Sequence, residues 1–246
     1  MRVLSIDFDY FQAVSKELIH NYPDGHDLNS QLSAIIWASN IAYKPELENV
    51  ELMEDEFQNI LQILKNQRYI RAIQISQSHK DIYDFIKAYA DGGKLSITNI
   101  DMHHDMFNSN PGVDCGNWVS HILKEYPDTR YNWICNPISK EVYGLKEDGR
   151  FDMVKESLAP ILTKQYDYIF LCRSNQWLPP HLDNRFDELK EALIQNACRT
   201  NIFYEGRISS EVRNPRNYKR ELERLKNEID SAFSKNKKAK VPEREQ

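Results

Sequence analysis

The chain has 246 residues, of which 41% are hydrophobic and 28% charged, and its formal net charge is −5. This length and composition are those of a globular domain with a full core, and they exclude a collagen-like or low-complexity chain. The four cysteines form no CxxC pair and are too sparse for a disulfide framework, which predicts a reducing, cytoplasmic location. No segment approaches the roughly 20 apolar residues that span a bilayer, so no membrane partner is expected.

Short apolar runs that end in polar residues alternate with amphipathic stretches along the chain. The runs are at residues 3–6, 70–75, 95–100, 133–135, 168–172 and 201–204. A loop and a short helix are predicted within 22–45, and apolar residues at helical spacing predict helices at 80–90 and 187–195. This alternation is typical of βα units around a buried sheet, and it predicts an α/β fold with a mostly parallel sheet.

Charge divides the chain into two parts. From Arg213 onward, eleven Lys or Arg stand against six Asp or Glu, which leaves a charge near −10 on the preceding residues. We predict one domain over residues 1–212, followed by a charged helix and a basic tail over 213–246. The tail is interpreted either as a solvated surface or as a docking surface for an acidic peptide or nucleic acid.

Metal-ligand residue types follow three of the predicted strands. Ligands of open α/β sheets bind outside the carboxyl ends of the strands, and alternate residues of an extended segment share one face. Converging carboxylates are tolerated where cations bind, and imidazole with carboxylate suits Mn²⁺, Fe²⁺ or Zn²⁺ better than Ca²⁺. Each short motif alone has a structural alternative, but together they predict a dinuclear metal site. The candidate ligands are Asp7, Asp9, His79, Asp101, His103 and Asp105.

Two of these motifs resemble those of a known enzyme family. NIDMHHDMF resembles the D-A-H-x-D motif of the ureohydrolases, the arginase and agmatinase family, and SIDFDYF resembles their S-x-D-x-D motif. Here the second motif comes first in the chain, as in a circular permutation, and Gln12 stands in place of a third acidic residue. A branch with a D-[FIL]-D-[FY]-F signature, which includes peptide arginases, is more similar. The resemblance covers roughly residues 1–185.

The resemblance implies a three-layer α-β-α fold of the arginase/deacetylase type with two Mn²⁺ ions. The six candidate ligands would hold the ions, with Asp7 and Asp101 bridging them, and Asp105 would also accept a hydrogen bond from the attacking water. The implied reaction is hydrolysis of an arginine guanidinium group to ornithine and urea. The implied partner is an arginine-containing precursor peptide, with no nucleic acid.

Further candidate residues come from segments that resemble the same families. VDCGNWVSH resembles the S-G-N-x-H segment of ureohydrolases, so His121 is a candidate proton shuttle, with a helix-surface role as the alternative. Asn117 and Trp118 are candidates for the substrate entrance, although Trp118 is equally expected in the core. Ser174, in CRSNQW, is a candidate substrate ligand, and Glu205 is a candidate guanidinium ligand.

Two other functions compete with this prediction. DFDYF after an N-terminal strand resembles the nucleophile motif of haloacid-dehalogenase-like phosphatases, but that chemistry has no use for His79 or the D-x-H-x-D motif. The second alternative is a non-catalytic peptide-binding module whose basic tail contacts an acidic partner. Arg173, also in CRSNQW, is interpreted either as the partner of a carboxylate or as a surface residue, because a cation facing the site would repel a guanidinium.

Overall fold

The computed structural model describes residues 1–23, 28–107, 111–143, 152–155, 158–200 and 203–206, together with the single positions 213, 223, 224 and 227. Within these ranges the strands are β1 (Arg2–Asp7), β2 (Gln12–Ala13), β3 (Glu51–Leu52), β4 (Ala72–Ser76), β5 (Ser96–Asp101), β6 (Arg130–Cys135), β7 (Asp152–Lys155), β8 (Tyr168–Cys172) and β9 (Phe203–Gly206). The helices of the same ranges are α1 (Lys16–Ile19), α2 (Ser30–Tyr43), α3 (Glu54–Lys65), α4 (Asp81–Tyr89), α5 (Trp118–Glu125), α6 (Ser139–Tyr143) and α7 (Asp183–Thr200). None of these helices is long and apolar enough to cross a membrane.

Seven of the strands form one sheet in the order β7-β6-β5-β1-β8-β4-β9, and every neighbouring pair is parallel. The pairing places Ile6 opposite both Ile100 and Leu171. The carboxyl ends of the central strands therefore lie at one edge, as βα connections require. The predicted α/β fold with a parallel sheet is confirmed.

Helices cover both faces of the sheet, which makes three layers. Leu4 and Ile6 of β1 belong to a core cluster that also contains apolar residues of α3 and α7, such as Phe57. Val3, which directly precedes Leu4 in the strand, packs in a second cluster with residues of α4 and α5. This separation follows from the alternation of side chains along a strand, and both faces are apolar because both are covered.

The predicted helix at 187–195 lies within the longer α7, and the predicted short helix within 22–45 is α2. Arg213, the first residue of the predicted tail, is buried, and Glu223, Arg224 and Asn227 are exposed helical positions. The rest of the predicted tail lies outside the described residues.

Candidate metal centre

The central strands deliver the candidate ligands to one buried place. β1 ends at Asp7 and its neighbour β5 ends at Asp101, while His79 follows β4 on the other side of β8. Every one of the six predicted ligands is buried, and His103, at 8% exposure, is the least so. The six residues, predicted from three separate motifs, thus come together in the fold.

Two groups of possible ligand atoms share one aspartate. In the first, His79 Nδ1 lies 3.1 Å from Asp7 Oδ2 and 3.2 Å from Asp101 Oδ2. In the second, His103 Nδ1 lies 2.8 Å from Asp9 Oδ2 and 3.5 Å from Asp101 Oδ1. The possible ligand atoms within each group of three residues lie within 4.8 Å of one another. Asp101 therefore offers one carboxylate oxygen to each group.

The chemistry of the donor set fits a metal cation. Asp105 Oδ2 is a third carboxylate oxygen beside His79 Nδ1, at 3.0 Å. Among the described residues, the four aspartates of this set form ion pairs with His79 and His103 and with no other side chain. Buried carboxylates without compensating charge are costly, and a divalent cation would offset that charge. These groups can therefore hold a metal ion.

Burial and the mutual repulsion of the carboxylates raise the pKa of two of the aspartates. Burial and the nearby Asp7 carboxylate raise the pKa of Asp9 well above its ordinary value. Burial and the charge of Asp101 raise the pKa of Asp105 to about 7. Burial would also raise the pKa of Asp101, but hydrogen bonds from the two imidazoles lower it below its ordinary value. The metal-free cluster thus retains protons at pH values where ordinary aspartates have lost them.

Hydrogen bonds from strand residues orient the first ligand group. Ser5 Oγ lies 2.7 Å from His79 Nε2, so the other ring nitrogen, Nδ1, faces the carboxylates. Ser5 precedes Asp7 by two residues on β1, and residues two apart on a strand share a face. In the same way Asn99 Nδ2 donates to Asp101 Oδ2 at 3.1 Å. Such outer partners fix the orientation of ligand side chains.

Trp118 and Ser174, which were predicted to bind substrate, contact two of the candidate metal ligands. The indole Nε1 of Trp118 donates a hydrogen bond to Asp105 Oδ2 at 2.5 Å, and the ring is fully buried. The hydroxyl of Ser174 donates to Asp7 Oδ2. Both side chains therefore hold carboxylates of the centre. Their predicted contact with substrate stays a prediction.

The expected strand alternation does not produce the convergence, and on this point the sequence interpretation is wrong. β5 ends at Asp101, and His103 and Asp105 lie in the loop that follows it. Asp105 has φ of +53°, the left-handed region that non-glycine residues rarely adopt. Asp9 lies in a 3-10 turn at Phe8–Phe11 and not in a strand. Turns at the strand ends, one of them strained, thus bring the ligands together.

Other predicted residues lie elsewhere. The His121 ring contacts Tyr83 edge-on, with 6.2 Å between ring centroids. The Asn117 side chain closes a loop, since it donates to Gly112 O at 2.9 Å and accepts from Asp114 N at 2.7 Å. The proton-shuttle and substrate roles of these two residues stay predictions. The side chain of Glu205 is outside the described part of the chain.

Trp177 is a site residue that sequence reasoning missed. Its ring centroid lies 4.5 Å from that of His103, and the side chain is partly exposed. Gln12 Nε2 donates to the Trp177 carbonyl at 2.7 Å, which fixes the backbone. The only signal in the sequence is an aromatic residue soon after a predicted strand end. The structure adds that the loop after β8 turns back toward His103.

Comparisons with protein-family models, with curated proteins and with solved structures found no match. Functional inference for this chain therefore depends on the chemistry of its own site.

Proposed function

We propose that the chain is a dinuclear metal hydrolase that uses two Mn²⁺ ions to convert arginine within a peptide to ornithine and urea. The observation that carries the proposal is the sharing of Asp101 between two ligand groups. A carboxylate with one oxygen on each side is suited to bridge a pair of ions, and paired ions are a recurring catalyst of hydrolysis. Carboxylate oxygens with one imidazole per group favour Mn²⁺ over Ca²⁺.

The residues of the centre would divide the work of hydrolysis. Divalent ions bound there supply a water molecule acidic enough to attack at neutral pH. Asp105, held by the Trp118 indole, is assigned the proton released from that water. The water oxygen bonds to the guanidinium carbon, the bond from that carbon to the side-chain nitrogen breaks, and this nitrogen takes a proton to leave as the ornithine amine. The remaining carbon leaves as urea with its two nitrogens and the oxygen of the water, and Asp105 is assigned the return of the proton to the leaving nitrogen.

The surroundings of His103 support a planar cationic substrate. The His103 side chain is 10% exposed, more than the side chains of its ion-pair partners Asp9 and Asp101, so access from this side is favoured. The Trp177 ring lies beside it. A guanidinium group stacks on an aromatic face with a favourable cation–π energy of about 1–2 kcal/mol when shielded from water.

The buried arginines support a peptide over free arginine. An enzyme for free arginine must also bind the α-amino and α-carboxylate groups, and a cation is a strong partner for the α-carboxylate. Arg173, which follows β8, is buried and lies with Arg213 against Asp183, so both cations are already engaged with a carboxylate, as predicted for Arg173. A peptide substrate needs no such clamp, because its backbone continues past the site.

The phosphatase alternative has less support, because a nucleophilic aspartate must be free to attack phosphorus. Asp7 accepts a hydrogen bond from Ser174 and lies 3.1 Å from His79 Nδ1, while Asp9 lies 2.8 Å from His103 Nδ1. Both aspartates of DFDYF are therefore engaged in the centre.

Mass spectrometry of an arginine peptide incubated with the Mn²⁺-loaded protein tests the proposal. We expect each converted arginine to lose the mass of one cyanamide unit, with an equal amount of urea released. A lysine-substituted peptide and the Asp101→Asn variant should show no conversion. Asp167→Asn is the matched control, because Asp167 pairs with Arg2 in a partly exposed ion pair outside the centre. Faster turnover of free L-arginine than of the peptide would reject the peptide substrate, and no urea from either would reject the hydrolase.

A further inference from the structure

A buried network joins the chain beyond β9 to the loop after β8. The Arg213 side chain is fully buried, and its guanidinium donates to both carboxylate oxygens of Asp183, with Nε at 3.0 Å from Oδ2. Its Nη1 also donates to Ser33 Oγ at 3.0 Å and to the carbonyl oxygen of Asn175. Since a guanidinium is a rigid planar fork, these bonds fix the Asn175 carbonyl relative to α2 and α7.

Asn175 is held through its backbone and its side chain together. Its carbonyl also accepts from Ser33 Oγ at 2.6 Å and from Trp37 Nε1 at 3.0 Å. Its side chain donates to Leu28 O at 2.9 Å and accepts from Arg173 Nε at 2.7 Å. The turn that contains Asn175 therefore has little freedom to move.

Ser174, the residue before Asn175, contacts the metal centre. The Ser174 hydroxyl donates to Asp7 Oδ2, the same oxygen that lies 3.1 Å from His79 Nδ1. Ser174 has φ of +49°, a conformation that costs energy in a residue other than glycine and persists where neighbouring contacts hold it. Arg213 contributes to this restraint through its hydrogen bond to the carbonyl oxygen of Asn175.

We infer that Arg213 is a positioning residue that couples the chain beyond β9 to the Asp7 side of the metal centre. The coupling passes through Asn175 and Ser174. The inference rests on the metal centre of the proposed function and is independent of the substrate. It gives the first residue of the predicted basic tail a role in supporting the site.

Mn²⁺ titration of the full-length Arg213→Lys variant tests the coupling. Lysine keeps the positive charge beside Asp183 but replaces the fork with one nitrogen, which cannot serve Asp183 and the Asn175 carbonyl in the same geometry. We expect one of two binding steps, the step that Asp7→Asn abolishes, to weaken about tenfold, the effect typical of outer partners of a metal ligand. A purely structural role would lower the melting temperature of the metal-free protein and leave both steps unchanged.

Arg185→Lys is the matched control. Arg185 also forms an ion pair with both oxygens of Glu54, and a second pair with Glu188, but it is partly exposed between α7 and α3, over the Phe57 ring. Its replacement should leave both Mn²⁺ steps unchanged.

A double-mutant comparison tests the route. If Arg213 acts through Ser174, adding Arg213→Lys to Ser174→Ala should cause no further loss of Mn²⁺ affinity. Ser33→Ala removes a hydroxyl that bonds to both Arg213 and Asn175, and it should weaken the same step even if Arg213→Lys fails to fold. Unchanged binding steps in the folded variants, or fully additive losses, would overturn the inference while leaving the metal centre in place. A wild-type chain that binds no Mn²⁺ would overturn both.

Discussion

Removal of metal should make the stability of the protein fall as the pH rises from 5 to 8. In the metal-free fold, burial and the charge of Asp101 raise the pKa of Asp105 from its ordinary 3.8 to about 7. Between these values the folded state holds a proton that the unfolded chain has released. Stability therefore decreases with pH over this window, by about 1.4 kcal/mol per pH unit, which amounts to about 3 kcal/mol between pH 5 and 7.

Asp9 and His79 contribute slopes of the same sign, whereas His104, whose pKa is lowered by burial to about 4, contributes the opposite slope between pH 4 and 6.5. The pKa of Asp9 is also raised, by burial and then Asp7, so its contribution runs in the same direction. Burial lowers the pKa of His79 but the charge of Asp105 and neighbouring hydrogen bonds raise it further, to well above its ordinary value. Its stabilisation is complete below the unfolded pKa and is lost as the pH rises through the folded one. Asp101, with a lowered pKa, is ionised in both states above pH 5 and contributes no slope.

Urea unfolding of chelator-treated protein at several pH values measures the slope. Saturating Mn²⁺ should remove it, because a bound ion would replace the protons that the carboxylates retain, and it also adds about 2.7 kcal/mol at one hundred times its dissociation constant. Asp105→Asn is the matched variant, since asparagine tolerates the positive φ of this position, and its metal-free form should have a shallower slope. Metal-free stability that rises from pH 5 to 8 would refute the reasoning.

Substitutions at three positions test neighbouring parts of the structure. Trp118→Phe removes the hydrogen bond to Asp105 and should weaken Mn²⁺ binding by about 10- to 100-fold; unchanged affinity by calorimetry would count against that support. Trp177→Leu should raise KM for an arginine peptide about tenfold with a smaller change in kcat, whereas Trp177→Phe should largely preserve KM; equal kinetics of the two variants would argue against stacking. Phe57 is a buried residue of α3 that packs in the core. Phe57→Ala should lower the free energy of unfolding by about 3–5 kcal/mol in urea titrations without changing Mn²⁺ stoichiometry.

The fold and the ligand set were accessible from the sequence because both depend on local patterns. Apolar runs such as Val3 to Ile6 predict buried strands, and polar residues at their ends fall at one edge of a parallel sheet. The α3 helix was not predicted, although its apolar residues, including Phe57, Ile60 and Leu64, recur at helical spacing. That omission was avoidable.

The supporting contacts of the site were not accessible, although Ser174 had been named as a substrate ligand, because distant segments place these residues. Ser174 and Trp177 lie in a loop whose path depends on Arg213 and on the positive φ at Ser174, and no local pattern predicts either. The prediction of how the metal ligands come together was wrong for a related reason. Alternation along a strand was expected for Asp105, whereas the chain leaves the strand at Asp101 and turns.

The Mn²⁺ content of three variants tests the central claim most directly. The account predicts two ions per wild-type chain, one in Asp9→Asn and none in Asp101→Asn, because only Asp101 belongs to both ligand groups. Elemental analysis of protein dialysed against dilute Mn²⁺ gives these ratios, and Asp167→Asn should match the wild type. A wild-type chain with a single ion, or an Asp101→Asn chain that retains two, would contradict the dinuclear centre.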